Sequence, residues 1–257
     1  MGRAHIEQSF ADKKTSNQNL FVPYIMAGDG GLDILEERIH FLQDCGVAAI
    51  ELGIPFSDPV ADGPTVQAAG ERALAGGTTL TGVLEMLRQT KETRTIPIIL
   101  MTYLNPIYAY GIDQFAADCE ASGVDGIIIP DIPLEEEPVI SDALNRHDIA
   151  FIRLAALTST KERLAEIARR SEGFLYAVSV TGTTGARTSH GNDVGSYLEM
   201  LKKHSQVPVL AGFGVSSPEQ AKNLSAHCDG VIVGSKIVDL LHEGKVKDVR
   251  KLIEGSL

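Results

Sequence analysis

The sequence predicts an α/β protein, a single (β/α)8 TIM barrel with an N-terminal helix closing the bottom, on three observations. Short apolar, β-branched runs alternate with amphipathic stretches from end to end. Continuous apolar strands separated by helical patterns belong to a parallel sheet buried on both faces. Eight such units suit a closed barrel better than an open sheet. The length of 257 residues is that of one barrel, which runs to about 250. No linker or low-complexity tract interrupts it, so residues 1–257 are expected to form one domain.

The elements follow in order. The polar amphipathic segment His5–Lys14 precedes the first strand and is expected to plug the N-terminal mouth of the barrel. The strand candidates are Leu20–Met26, Ala48–Gly53, Pro97–Tyr103, Gly126–Pro130, Ala150–Ala155, Phe174–Val180, Pro208–Gly212 and Gly230–Val233. Helical patterns between them include Leu35–Gln43, Val83–Lys91, Gln114–Glu120, Arg163–Arg170 and Pro218–Leu224. Strand starts recur roughly every 22–34 residues, the spacing of βα units, except for a longer gap between the second and third. That gap holds Pro55–Gln67, too long and too rich in Pro and Gly for a plain connection, and so expected to be a functional loop.

Composition narrows the function. Apolar residues make up 44% of the chain, enough for a sizeable core, which excludes disorder. The 23 Lys and Arg against 34 Asp and Glu give a formal charge of −11, with no basic stripe, which argues against nucleic acid and anionic lipid as partners. An anionic ligand would therefore be held by local backbone N–H groups. No apolar run approaches a membrane span, no signal-peptide core is present, and Ile6 stands where a myristoylation signal wants Ser or Thr. Cys45, Cys119 and Cys228 are far apart and odd in number, and read as reduced, buried thiols. A cytoplasmic protein is expected.

In a barrel, chemistry sits at the C-terminal strand ends. The second strand carries Glu51 within Ala48-Ala49-Ile50-Glu51-Leu52-Gly53, and alternation puts it on the same face as Ala49 and Gly53, the inward one. A carboxylate inside an apolar strand is costly unless paired or used. The pairing alternative is an ion pair with Arg153 of the fifth strand. Asp62 follows in the loop Ser57-Asp58-Pro59-Val60-Ala61-Asp62-Gly63-Pro64, where Asp58 and Asp62 could equally be turn formers or helix caps. Asp131 is at a catalytic address too, while its neighbours Pro130 and Pro133 equally suggest a turn role. The seventh strand ends Gly212-Phe213-Gly214 and the eighth Gly234-Ser235 at a helix start, the pattern of a phosphate site made of glycines and helix N–H groups. The small, polar stretch Thr181–Gly191 reads as a lid. A Schiff-base aldolase needs a buried lysine at a strand end, whereas Lys236 falls in a helix start. A metal enzyme needs clustered His and carboxylates, and no such cluster is legible.

Glu51-Leu52-Gly53-Ile54-Pro55-Phe56-Ser57-Asp58-Pro59, continuing through Ala61-Asp62-Gly63-Pro64-Thr65 to Gln67, resembles the signature of the tryptophan synthase α subunit family. Phe21-Val22-Pro23-Tyr24, Pro130-Asp131-Ile132-Pro133, the Thr181–Gly185 stretch, Gly212-Phe213-Gly214 and Gly234-Ser235 resemble it too, so that the likeness covers essentially the whole chain. The resemblance implies a lyase that cleaves indole-3-glycerol phosphate to indole and glyceraldehyde 3-phosphate, with Glu51 and Asp62 as the acid–base pair. It implies a phosphate site at Gly185, Gly214, Gly234 and Ser235, and an indole wall of Tyr24, Met101, Tyr103, Ile128, Leu154, Tyr176 and Phe213. Thr184 would bond Asp62 on closure of the lid, and Asp58, Asn105 and Pro106 would face a β subunit in an α2β2 heterotetramer. No metal or cofactor is expected in this chain, pyridoxal phosphate belonging to the β subunit. Alternatives are a stand-alone lyase releasing free indole, an inactive sugar-phosphate-binding regulator, and an isomerase of another aryl-amine sugar phosphate.

Overall fold

Eight parallel strands close on themselves in sequence order, each hydrogen-bonded to the next and the last to the first. The computed structural model describes residues 1–179 and 191–257. The strands are β1 (Leu20–Met26), β2 (Ile50–Gly53), β3 (Ile98–Met101), β4 (Gly126–Ile128), β5 (Ala150–Ala156), β6 (Leu175–Val178), β7 (Val209–Gly212) and β8 (Gly230–Val233). Five are one to three residues shorter than the apolar runs, β1 and β8 coincide with theirs, and β5 runs one residue further. Residues beyond the paired stretch turn into loops or caps, as Tyr103 does at the start of a helix.

The helices are α1 (Arg3–Thr15), α2 (Leu35–Asp44), α3 (Pro64–Ala75), α4 (Leu80–Gln89), α5 (Leu104–Tyr110), α6 (Ile112–Ala121), α7 (Pro138–Arg146), α8 (Lys161–Arg170), α9 (Gly191–His204), α10 (Pro218–Ser225), α11 (Ser235–His242) and α12 (Val246–Ser256). The expected Pro55–Gln67 loop is therefore shorter than its composition suggested, because its last four residues form the first turn of α3. Proline is well placed there, since the first turn lacks an intrahelical acceptor in any case. The buried face of α3 is Ala69, Gly70 and Ala73, so small that a pattern of large apolar residues misses it.

Alternation divides the strands between two cores. Outward residues such as Phe21, Ile25, Leu52, Leu100 and Phe151 pack beneath the helices. Inward residues fill the barrel: Leu20, Val22, Ala49, Ile99, Ile128, Ile152, Leu210 and Ile232, with Met101, Leu154 and Tyr176 toward the top. At the bottom, Ile6 and Phe10 of α1 join this inner core, Phe10 lying 5.9 Å from the Phe174 ring. Polar bonds hold the plug in place. Ser9 Oγ donates to the Ala48 carbonyl at 2.6 Å, and the Gly2 N–H donates to Asp125 Oδ1 at 2.7 Å. The three cysteines are free and buried. Among the described residues no helix is long and apolar enough to cross a membrane.

Candidate active site

The register sets Tyr24 of β1 beside Glu51 of β2, and Glu51 beside Ile99 of β3. One step higher, Gly53 pairs with Met101, Met101 with Ile128, and Ile128 with Ile152. Across the barrel, Leu154 pairs with Tyr176. Tyr24, Glu51, Met101, Ile128, Leu154 and Tyr176 thus share the inner face, as alternation requires. Gly53 makes room for a phenol: a Cβ there would fall 2.0 Å from the Tyr24 hydroxyl.

Glu51 is 1% exposed. Among the described residues its Oε2 has no hydrogen-bond partner. The expected ion-pair alternative does not form. Arg153 sits one residue before the inward Leu154 and therefore points outward, where its guanidinium makes two bonds to Glu137, at 2.8 and 3.0 Å. It also donates to the carbonyls of Phe151 and Arg170. Left without a cation, the Glu51 carboxyl is pushed up to about 8 by burial, with the Asp62 charge adding to the effect.

Asp62 lies in the loop after β2. The cap of α3 is Gly63 and no side chain caps that helix, so the Asp62 carboxyl has no turn-capping duty. Its main chain is anchored instead: its N–H bonds to the Pro59 carbonyl at 3.0 Å, and its carbonyl accepts from Gln67 Nε2 at 2.8 Å. Burial pushes the carboxyl up to about 6, and a hydrogen bond from the Tyr103 hydroxyl restrains the rise. Tyr103, expected as apolar wall, has a polar task as well, because its hydroxyl accepts the Ala61 N–H at 2.9 Å. The hydroxyls of Tyr24 and Tyr176 are raised well above the ordinary range, by burial first and then by the two carboxyls. Glu51 and Asp62 therefore belong to one electrostatic unit ringed by phenols.

β7 and β8 are adjacent, which brings the loop at Gly214 beside the start of α11 at Gly234 and Ser235. Gly214 has φ 66°, a left-handed backbone that glycine accepts without strain. Among the described residues the Ser235 and Lys236 N–H groups at the start of α11 have no backbone acceptor and offer themselves to an anion, while those of Ile237 and Val238 bond the Gly234 carbonyl. Phe213 stands apart from the inner face, its ring 6.3 Å from Tyr197 of α9. Thr184 and Gly185 lie outside the described residues, as does the expected lid up to residue 190. Among the described residues no group of three or more His, Cys, Asp or Glu could hold a metal ion.

Asp58 and Asn105 are exposed, and Pro106 is half-buried. Two large apolar side chains that sequence reasoning did not single out flank them: Val60, 83% exposed, and Tyr108 of α5, 68% exposed. Asp131, exposed on the loop after β4, serves a helix start, its Oδ1 accepting the Leu104 N–H at 3.0 Å.

A model of the tryptophan synthase alpha chain family matches residues 10–255. The chain belongs to the tryptophan synthase alpha chain family. It is 59% identical to the tryptophan synthase alpha chain of Oceanobacillus iheyensis, over all of this chain and 98% of that one. To the alpha chain of Bacillus thuringiensis it is 47% identical, again over 100% and 98%. Among solved structures, tryptophan synthase subunit alpha of Legionella pneumophila superposes with a TM-score of 0.89 at 34% identity, covering 98% of this chain and 96% of that one. A chain from tryptophan synthase of Mycobacterium tuberculosis gives 0.89 at 35% identity with the same coverage. As a tryptophan synthase alpha chain, this protein is an enzyme of the lyase type.

Proposed function

We propose that Glu51 and Asp62 are the acid–base pair with which this chain cleaves indole-3-glycerol phosphate to indole and glyceraldehyde 3-phosphate, the alpha reaction of its family. The observation that carries this reading is the pair of carboxyls, one raised to about 8 and the other only to about 6. Near neutral pH the first is protonated and the second largely ionised, a separation that assigns acid and base. Asp62 takes the hydrogen bond of the indole N–H, which makes C3 more basic. Glu51 delivers its proton to C3. The bond between C3 and the side chain then breaks, its electrons flowing into the protonated ring, while Glu51, now a carboxylate, takes the proton of the adjacent hydroxyl. Aldehyde and indole leave, and Glu51 is again protonated. Protons and electrons balance without a metal or cofactor in this chain.

Tyr24, Met101, Tyr103, Ile128, Leu154, Tyr176 and, at the rim, Phe213 wall the indole. The phosphate sits on backbone N–H groups at Gly214, Gly234 and Ser235. The family implies a β-subunit partner. We assign it the surface of Asp58, Asn105 and Pro106 in an α2β2 heterotetramer, and exposed Val60 and Tyr108 support that choice. Three buried free thiols suit a reducing cytoplasm. The test is indole release from indole-3-glycerol phosphate, with and without a β subunit. Each positioned acid–base step is worth about 10²–10⁴-fold. Glu51→Gln and Asp62→Asn should each lose at least about 10² in kcat with phosphate affinity kept, and near-normal cleavage by either would sink the assignment.

A further inference from the structure

The start of α5 has an unusual division of labour. Its N-cap residue is Tyr103, and no cap bond comes from that residue's own side chain. Ser, Thr, Asp or Asn normally serves both as N-cap residue and as side-chain acceptor for the first turn. Here the Tyr103 hydroxyl is committed elsewhere, accepting the Ala61 N–H at 2.9 Å on the Asp62 side of the site. The missing acceptor arrives from the neighbouring loop: Asp131 Oδ1 takes the Leu104 N–H, the peptide next to Tyr103, at 3.0 Å. The Tyr103 ring is braced on its other side by Phe56, with centroids 5.2 Å apart, and Phe56 is itself part of the loop leading to Asp62.

We propose that Asp131 is a positioning residue of the lyase reaction: by holding the peptide after Tyr103 it fixes the phenol that grips Ala61, the residue before Asp62. The proposal rests on Asp62 belonging to the acid–base pair. Asp131 reaches neither the inner face nor the phosphate site at β7 and β8, so it acts through Tyr103. Without the anchor the start of α5 frays, the phenol swings, and Asp62 loses both its orientation and the hydroxyl that keeps its proton affinity down.

The experiment compares Asp131→Ala, Asp131→Asn, Tyr103→Phe and the double variant Asp131→Ala/Tyr103→Phe in indole release from indole-3-glycerol phosphate. Misplacement of a group that acts on the substrate can cost up to about 10²-fold, so Asp131→Ala should lower kcat by several-fold or more, with KM little changed because the phosphate site is untouched. The amide of Asp131→Asn still offers an acceptor oxygen and should restore kcat. The acid limb of kcat/KM should move to higher pH in Asp131→Ala, which a merely structural role would not cause. In the Tyr103→Phe background Asp131→Ala should add little, since both changes break one chain of contacts. Multiplying effects, an unmoved acid limb, or a rise in KM at constant kcat would each overturn the proposal. Near-normal kcat in Asp62→Asn would instead overturn the acid–base assignment beneath it.

Discussion

Glu51 should make the protein less stable than it could be, by an amount that depends on pH. The unfolded chain ionises this carboxyl above about 4.5, whereas burial raises it to about 8 in the folded state. A group raised on folding contributes its full stability below its unfolded value, and that stability is lost as pH climbs toward the folded value. At pH 7, some 2.5 units above 4.5, each unit is worth about 1.4 kcal/mol, so the burden is roughly 3 kcal/mol. Gln has no proton to exchange, and Glu51→Gln escapes that burden. The variant should match the parent near pH 4, gain about 1.4 kcal/mol per unit above pH 4.5 and level off near pH 8. At pH 7 the gain corresponds to a melting temperature higher by roughly 6–12 °C for a chain of this size. Thermal and urea unfolding of both proteins between pH 4 and pH 9 measures it. A difference independent of pH, or a variant less stable at pH 9, would refute the reasoning that a buried carboxyl with no cation beside it among the described residues is being kept for chemistry.

Other expectations concern the bottom of the barrel. Phe10→Ala removes a ring that is 2% exposed and packed on Phe174, and should cost about 3–5 kcal/mol in urea unfolding while leaving KM near that of the parent. His5 bridges Asp125 Oδ1 and the Thr95 carbonyl, both at 3.0 Å, two acceptors that only the doubly protonated ring serves at once. Its pKa is raised chiefly by the hydrogen bond to Asp125, against burial and the nearby N-terminal charge, while Arg94 also feels Asp125. The stabilisation is therefore complete below the ordinary value of 6.5 and lost as pH rises through the raised one. His5→Gln should destabilise more at pH 5.5 than at pH 9, and equal effects at both would show that the ring is not held as a cation.

Glu51 was legible because an acid within an apolar strand has few innocent explanations, and alternation alone placed it inside. Asp62 was not distinguishable by spacing from Asp58 or from any turn-forming aspartate, and the family motif was needed to single it out. The distinction is three-dimensional: no side chain caps α3, and Tyr103 faces the Asp62 carboxyl. The Arg153 pairing alternative fails because opposite charges on two strands meet only when both point the same way. The family resemblance placed Tyr103 in an apolar wall, and its bond to the Ala61 N–H was not legible because a phenol's partners cannot be read from sequence. The barrel itself was clear from the alternation of strands and helices, but α3 hid behind a face of alanine and glycine.

The central claim is that two carboxyls held apart in proton affinity perform the cleavage, and the pH dependence of kcat/KM tests it most directly. Indole release should follow a bell, rising with an apparent pKa near 6 and falling with one near 8. Because the two groups interact, these values belong to the pair. In Asp62→Asn the residual activity should lose the rising limb and keep the falling one. A profile flat across that range in the parent protein, or a rising limb that survives in Asp62→Asn, would contradict the account.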